Sequence, residues 1–279
     1  MRSIWLRLPR SGFTYNIGKL LTRTILKPEA ASTAAEISFA RQYPMSLDLE
    51  DIVCNDLYCM DDHYEAPTLA LWRGLARKSD TILDLGSHVG VFACTAAAAN
   101  PRAKVIAVEA FDRNAAMLKK NATSFPNLKP VHAAIGVTPG QKVFRVSPIT
   151  GGGYLEDDSG AVLSTPGTRD QSGVSFVVEA VTLAGLCERE QLETIELMKM
   201  DVEGLEHALL TGQEEFWKRW RPQHVLVEIT ISKARPQIGD EIFAAMSRRG
   251  YRFRRVEGLY AIPWFQSEDL ANWHFWLEK

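Results

Sequence analysis

Residues 199–206, KMDVEGLE, bring Lys199, Asp201, Glu203 and Glu206 together between an apolar, strand-like run (194–201) and a helix-like run that opens at Gly204. Alternate residues of a strand share a face, so Lys199 and Asp201 point the same way. Asp201 closes its strand at the carboxyl edge, where open α/β sheets bind ligands. Glu203 and Glu206 open the following turn, where the helix dipole favours acids. A carboxylate in a dry cleft among other acids can take a proton from a hydroxyl. Asp201 first, and Glu203 next, are therefore the candidate proton acceptors or acceptor-orienting groups. A plainer arrangement uses the same residues, with Lys199 and Asp201 as an ion pair and Glu203 and Glu206 as helix caps. Clustered acids also suit a divalent cation, but the spacing fixes no ligand count, and no metal is expected.

A second group lies upstream in DLGSHVG, residues 84–90. Gly86 lets the chain turn off a strand, and Gly90 allows close approach of a ligand or a neighbouring helix. Dinucleotide sites use G-x-G-x-x-G, with pyrophosphate over the glycines. Here the middle glycine is missing, and Ser87 and His88 fill the room a pyrophosphate needs. Asp84 repels phosphate but suits a cation. S-adenosylmethionine, with an ammonium and a sulfonium and no phosphate, fits better than a dinucleotide. Glu109 ends the next strand, where its two oxygens can accept from a ribose diol; the alternative is a surface pair with Arg113 or Lys119. His88 titrates near neutrality and is a further candidate general base, or else a turn residue bonded to backbone. Glu228, ending a later strand, could reach the same edge. His63, His132, His207, His224 and His274 show no ligand-type spacing and are expected to be structural or exposed.

The elements that must position these groups follow an alternating β/α pattern from residue 80, the signature of a parallel sheet with crossover helices. Strands are expected at 81–86, 103–110, 128–136, 194–201 and 224–230, and helices at 89–100, 113–124 and 238–250, with a short helix from Gly204. QKVFRV and GVSFVVEAV flank a Gly-, Ser- and Asp-rich stretch at 148–173 that reads as a loop or hairpin. Three glycines beside Tyr154 make part of it a candidate lid. The last two strand-like runs, YRFRRVEG and ANWHFWLEK, alternate like an antiparallel pair. This favours a seven-stranded methyltransferase sheet over a nucleotide-binding sheet continued in βα units.

These residues resemble the FkbM-type methyltransferases. TILDLGSHVG, VIAVEAF and above all IELMKMDVEGLEHALLTG are similar to that family's segments, the last carrying its Lys-x-Asp-x-Glu-Gly-x-Glu run. The likeness covers roughly residues 60 to 230, and HYEAPTLALWRGL matches a Tyr-Glu segment at Tyr64 and Glu65. It implies a class I fold, S-adenosylmethionine as donor and O-methylation of hydroxyls on sugars, polyketides or related small molecules. The expected cofactor-binding set is Glu65, Asp84, Gly86, Ser87, Gly90, Glu109 and Phe111. The chain departs from the family at Ser87-His88, where Ala-Asn is usual, at Ala110, where Pro is usual, and at Leu183-Ala184, where Leu-Asp is usual. The last change removes a potential helix cap or substrate contact.

Composition sets the outer bounds. The chain has 279 residues, 46% hydrophobic and 24% charged, with net charge −2. This is enough apolar material for one core, with no overall attraction to nucleic acid or anionic membranes. Cys54, Cys59, Cys94 and Cys187 form no CxxC pair, so free thiols and a cytoplasmic location are expected. No apolar run is long enough to span a membrane. Residues 1–28 carry Arg2, Arg7, Arg10, Lys19, Arg23 and Lys27 but no acid. YNIGKLLTRTILK places Ile17, Leu20, Leu21 and Ile25 near one helical face, which suits packing on the domain, peripheral membrane contact or a basic rim for an anionic acceptor. The expectation is thus an α/β class I methyltransferase domain over 51–279, with a basic helical extension at 1–50. Its acceptor would be a sugar, glycan or small metabolite, not a nucleic acid. The rivals are a non-catalytic methyltransferase-like binding module and an NAD-dependent oxidoreductase.

Overall fold

A computed structural model describes residues 34–146, 153–155, 174–232, 237–256 and 268–278. Its centre is a seven-stranded sheet. The strands are β3 (Thr81–Leu85), β4 (Lys104–Glu109), β5 (Leu128–His132), β10 (Leu197–Met200), β11 (His224–Ser232), β12 (Tyr251–Arg255) and β13 (Glu268–Leu277). They lie in the order β12-β13-β11-β10-β3-β4-β5. β5, β4, β3, β10 and β11 run parallel, and β13 is antiparallel to both β11 and β12. The mostly parallel sheet with a C-terminal antiparallel pair is as expected. Apolar residues occupy both faces, as a sheet covered by helices on each side requires. Leu83, Leu85, Ile106 and Met198 enter one buried cluster, while their neighbours Ile82, Val105, Ala107 and Leu197 enter the other.

The run 128–136 does not form one strand. β5 ends at His132, and after Ala133 the chain enters β6 (Ala134–Ile135) of a second sheet. The other strands of that sheet are β7 (Gly140–Val146), β8 (Gly153–Leu155) and β9 (Ser175–Val181), in the order β6-β9-β7-β8. Tyr154, on β8, pairs with Arg145 on β7; the rest of the expected lid lies outside the described residues.

The N-terminal expectation needs correction where the chain is described. Residues 34–48 are not helical. β1 (Ala34–Phe39) and β2 (Tyr43–Asp48) form an antiparallel hairpin. Ile37 and Phe39 on one strand and Met45 and Leu47 on the other recur with period two and are buried together with Leu57, Trp72 and Ile82. The candidate helix at 15–27 lies outside the described residues.

Helices α1 (Ile52–Met60), α2 (Ala66–Ala76), α3 (Val91–Ala99) and α4 (Asp112–Ala122) surround the β3–β4 end of the sheet. Buried polar groups fix them there. Trp72 Nε1 donates to the Phe92 carbonyl at 2.8 Å, and the Tyr43 hydroxyl meets Thr95 Oγ1 at 2.9 Å. The Asn121 amide accepts from Ser46 N at 2.7 Å and donates to the carbonyls of Ser46 at 3.0 Å and Val89 at 2.8 Å. One side chain therefore clamps β2, α4 and the loop after β3. Against the sheet's other face lie α5 (Leu183–Arg189), α6 (Glu206–Thr211), α7 (Glu214–Arg219) and α8 (Gln237–Arg248). Thr182 caps α5 by accepting from Gly185 N at 3.0 Å, so Ala184 leaves no cap missing.

Two glycines test this packing. Gly86 has φ of +76°, and a Cβ on it would lie 1.8 Å from the Asp201 carbonyl oxygen. Gly74, exposed on α2, would have nothing within 4 Å of an added Cβ. In urea unfolding, Gly86→Ala is expected to cost about 3 kcal/mol or more, from strain plus collision with backbone. Gly74→Ala is expected to stabilise by about 0.5–1 kcal/mol.

Candidate functional site

The loop after β3 forms the floor of the site. The N–H groups of Gly86 and Ser87 both donate to the Val108 carbonyl, at 3.0 and 2.9 Å, pinning the loop to β4. Gly86 has no side chain because the Asp201 backbone occupies that space, which presses the ends of β3 and β10 together. Gly90, at φ +95°, faces Leu118, whose Cδ1 would be 2.7 Å from an added Cβ. It accommodates a neighbouring helix. Ser87 turns inward, its hydroxyl donating to the Asp84 backbone carbonyl at 2.7 Å.

Asp84 is fully buried, and neither carboxylate oxygen has a hydrogen-bond partner among the described residues. Burial raises its pKa to about 6, against the opposing charge of Lys199. Such a group awaits a donor or a cation from outside the chain.

His88 takes over the conformational task of the missing middle glycine. Its φ is +51°, and its N–H donates to Glu109 Oε2 at 2.8 Å. Phe111 N donates to the other oxygen, Oε1, at 2.9 Å. Glu109 is thus held between the two loops with lone pairs to spare. Burial pushes its pKa up, while the His88 charge and the backbone donors pull it down. The alternative pairing with Arg113 does not form, because that guanidinium goes to Asp48 and, at 2.6 Å, to Glu50. Phe111 is partly buried, with its ring stacked on Phe176 of β9 at 5.7 Å.

The acid run sits beside this loop. Asp201 N donates to the Leu85 carbonyl at 3.0 Å, placing its side chain at the carboxyl edge. Lys199, nearly inaccessible, donates to Asp201 Oδ2 at 2.8 Å, and its Nζ lies 4.7 Å from the centre of the Phe92 ring. Burial disfavours the ammonium, but Asp201, Asp84 and Glu65 outweigh that and raise its pKa. The expected ion pair is therefore present, with Asp201 still partly exposed.

Glu206 accepts from Val202 N at 2.8 Å and Gly204 N at 2.9 Å, capping its own turn. The helix begins at Glu206 because Glu203 and Gly204 adopt φ of +52° and +99°. Burial, with Asp201, raises Glu206 to about 7. Glu203 projects at the rim. Crowding by protein and then by Asp201 and Glu206 raises its pKa to about 8, and its exposure to solvent screens part of that effect. Glu228 of β11 lies within electrostatic reach of Asp201, Glu65, Lys199 and Glu203, and burial raises its pKa well above the usual carboxylate value. Glu65 is buried at the start of α2, with φ of +42°, and accepts from Asn272 Nδ2 at 3.4 Å. Glu65, His88 and Glu203 are three of the nine side-chain-bearing residues with positive φ among the described residues.

Two participants are not evident in the sequence. Asp51 caps α1, accepting from Cys54 N at 2.8 Å through Oδ1, while Oδ2 meets His88 Nε2 at 3.3 Å. The capping pattern at the start of an apolar run is readable, but its contact with residue 88 is not. Asn272 interrupts the apolar alternation of β13, the one signal that it faces something polar. The other histidines lie elsewhere. His207 contacts Glu241 at 2.6 Å, His132 contacts Asp112 at 2.9 Å, His63 lies 3.6 Å from Asp62, and His224 meets His274 at 3.2 Å. All four cysteines are free thiols.

Against known proteins, the profile of the methyltransferase FkbM domain matches residues 84–253. No curated protein matches the chain. Among solved structures it is similar to a protein described as a SAM-dependent methyltransferase from Streptococcus mutans, at 12% identity over 89% of this chain and 57% of that one, with a TM-score of 0.50. It is also similar to an O-methyltransferase from Bacillus cereus in complex with SAH (10% identity, 76% and 80% of the two chains, TM-score 0.44). A third is Aeropyrum pernix fibrillarin with natively bound S-adenosyl-L-methionine (14% identity, 76% of each chain, TM-score 0.44). At 12% identity, the likeness to the Streptococcus mutans protein speaks for the fold alone. The profile match covers more than half of the chain and takes in the Asp84 loop, Glu109 and the whole run from Lys199 to Glu206, and on that ground the chain belongs to the FkbM methyltransferase family.

Proposed function

We propose that the protein methylates a hydroxyl oxygen of a sugar, glycan or other small metabolite. Membership in the FkbM methyltransferase family makes S-adenosylmethionine the donor. The residues present fit it: Asp84 offers two buried oxygens without a donor, and Glu109 keeps lone pairs for a ribose diol. Glu65, Gly86, Ser87, Gly90 and Phe111 complete the proposed cofactor set, Gly86 and Gly90 through the shape they give the loop.

The observation that carries the oxygen acceptor is the contact between Gly86 and the Asp201 backbone, which sets the acid run directly against the cofactor loop. Bound S-adenosylmethionine supplies a methyl on a sulfonium, and transfer to a hydroxyl leaves a neutral thioether, an ether and one proton. Glu203, at the rim, takes that proton. Asp201, fixed by Lys199, orients the hydroxyl for in-line attack. His88 is a weaker candidate base. Burial disfavours its imidazolium, but Asp51, Glu109 and Asp201 outweigh that and raise its pKa. Its neighbours thus favour the imidazolium, which has no lone pair with which to take a proton. A cytoplasmic location and an N-terminal basic contact with membranes or acceptor remain expectations. No helix among the described residues is long and apolar enough to cross a membrane.

The test is transfer of labelled methyl from S-adenosylmethionine to a panel of sugars and small alcohols, with the product identified as an ether. Methyl appearing on nitrogen, carbon or sulfur would contradict the oxygen reading. The pH dependence follows from Glu203. Its pKa is raised and its ionised form is the base, so kcat/KM for the donor should climb with pH, with a midpoint towards 8, and level off above it. Glu203→Gln should lower the rate by about 10²–10⁴-fold and flatten that limb. A variant with the wild-type profile would rule Glu203 out.

A further inference from the structure

We propose that Asp51 is a positioning residue for the cofactor site: through the His88 side chain it holds the left-handed turn whose backbone N–H fixes the Glu109 carboxylate. The inference rests on the reading that the donor binds at Glu109.

His88 has φ of +51°, a backbone conformation that costs any side-chain-bearing residue more than it costs glycine. Two contacts hold it. The His88 N–H donates to Glu109 Oε2 at 2.8 Å, and ring Nε2 lies 3.3 Å from Asp51 Oδ2.

Asp51 is itself rigid. It is buried, and its other oxygen is occupied by Cys54 N at the start of a nine-residue helix. It also lies outside the profile-matched segment 84–253.

Each group favours the charged form of the other. Burial works against the Asp51 carboxylate, and His88 outweighs it, lowering the pKa; the His88 pKa is raised. The groups facing His88 are Asp51 at the start of α1, Glu109 on β4, and Asp201 and Glu203 after β10, all acids. Cys54 Sγ also comes within 4.8 Å of the pair's ligand atoms. Burial and Asp51, however, push its thiol far above the usual range, and its N–H is already spent on Asp51. The trio therefore reads as an ion pair beside a helix cap.

The sign of the pH effect follows. A raised histidine pKa means the imidazolium persists below its folded value and is lost as pH rises through it, while Asp51 stays ionised throughout. The experiment is calorimetric titration of the full chain with S-adenosylhomocysteine, for wild type, Asp51→Asn, His88→Asn and the double variant. Asparagine still caps α1, so folding is preserved, and melting curves check this.

Asp51→Asn should weaken binding about tenfold in the wild type and less than about twofold in the His88→Asn background. Wild-type affinity should show a fall with rising pH, as the imidazolium is lost, that is absent from His88→Asn. Additive effects, or a flat wild-type profile, would overturn the pair's role and leave the cofactor site standing. No binding by wild type at any pH would bring down the cofactor site and this inference together. A cobalt(II)–thiolate absorption band on titration with cobalt(II) alone would make the trio a metal site and overturn the ion-pair reading.

Discussion

Lys199 is the buried ammonium on which the acid-lined edge depends. It stands on a central strand between two parallel neighbours, where an apolar side chain would ordinarily sit. A charge in that place is tolerable only with a partner, because desolvation costs several kcal/mol. Asp201 supplies the direct contact, Asp84 and Glu65 supply further negative charge, and the Phe92 ring lies nearby. The dependence runs both ways. Without this ammonium, Asp84, Asp201, Glu65 and Glu228 would crowd one edge with little compensation. Its charge lowers the proton affinities of Asp84, Glu203 and Glu228, which burial above all raises.

A second constraint is geometric. The loop after β3 and the residue that follows β10 are in close backbone approach at Gly86, which leaves no room for a side chain there. The loop is further tied to β4 by two hydrogen bonds and to α4 and β2 by Asn121. Strain at Glu65, His88 and Glu203 is sustained by this surrounding rigidity. The site is thus shaped in advance. What a ligand must add is mainly charge and hydrogen-bond donors, which Asp84 lacks.

Much of this was legible in the sequence, for identifiable reasons. The strands β3, β4, β10 and β11 announce themselves as apolar runs of the right length, and the glycines and acids at their ends fall where open sheets bind ligands. The Lys199–Asp201 pair follows from period two alone. Other features were hidden. Residues 128–136 look like one strand because Ala133, Ala134 and Ile135 are as apolar as β5 itself; the switch to a second sheet is a tertiary event. The lack of a middle glycine in the Asp84 loop suggested only an obstruction to phosphate, whereas the backbone keeps the glycine conformation with His88 in place. The partner that makes this possible, Asp51, is distant in sequence and visible only as a helix cap. Glu206 was readable as either a cap or a cleft acid, and only the positions of the Val202 and Gly204 N–H groups decide for the cap.

The central claim is that the loop after β3 and Glu109 form the donor site of an active methyltransferase. Titration of the purified protein with S-adenosylhomocysteine, wild type against Glu109→Ala, tests it most directly. The account predicts wild-type binding with a Kd of about micromolar order and a loss of about hundredfold or more in the variant. Equal binding by the two proteins would place the ligand elsewhere, and no binding by the wild type would contradict the claim outright.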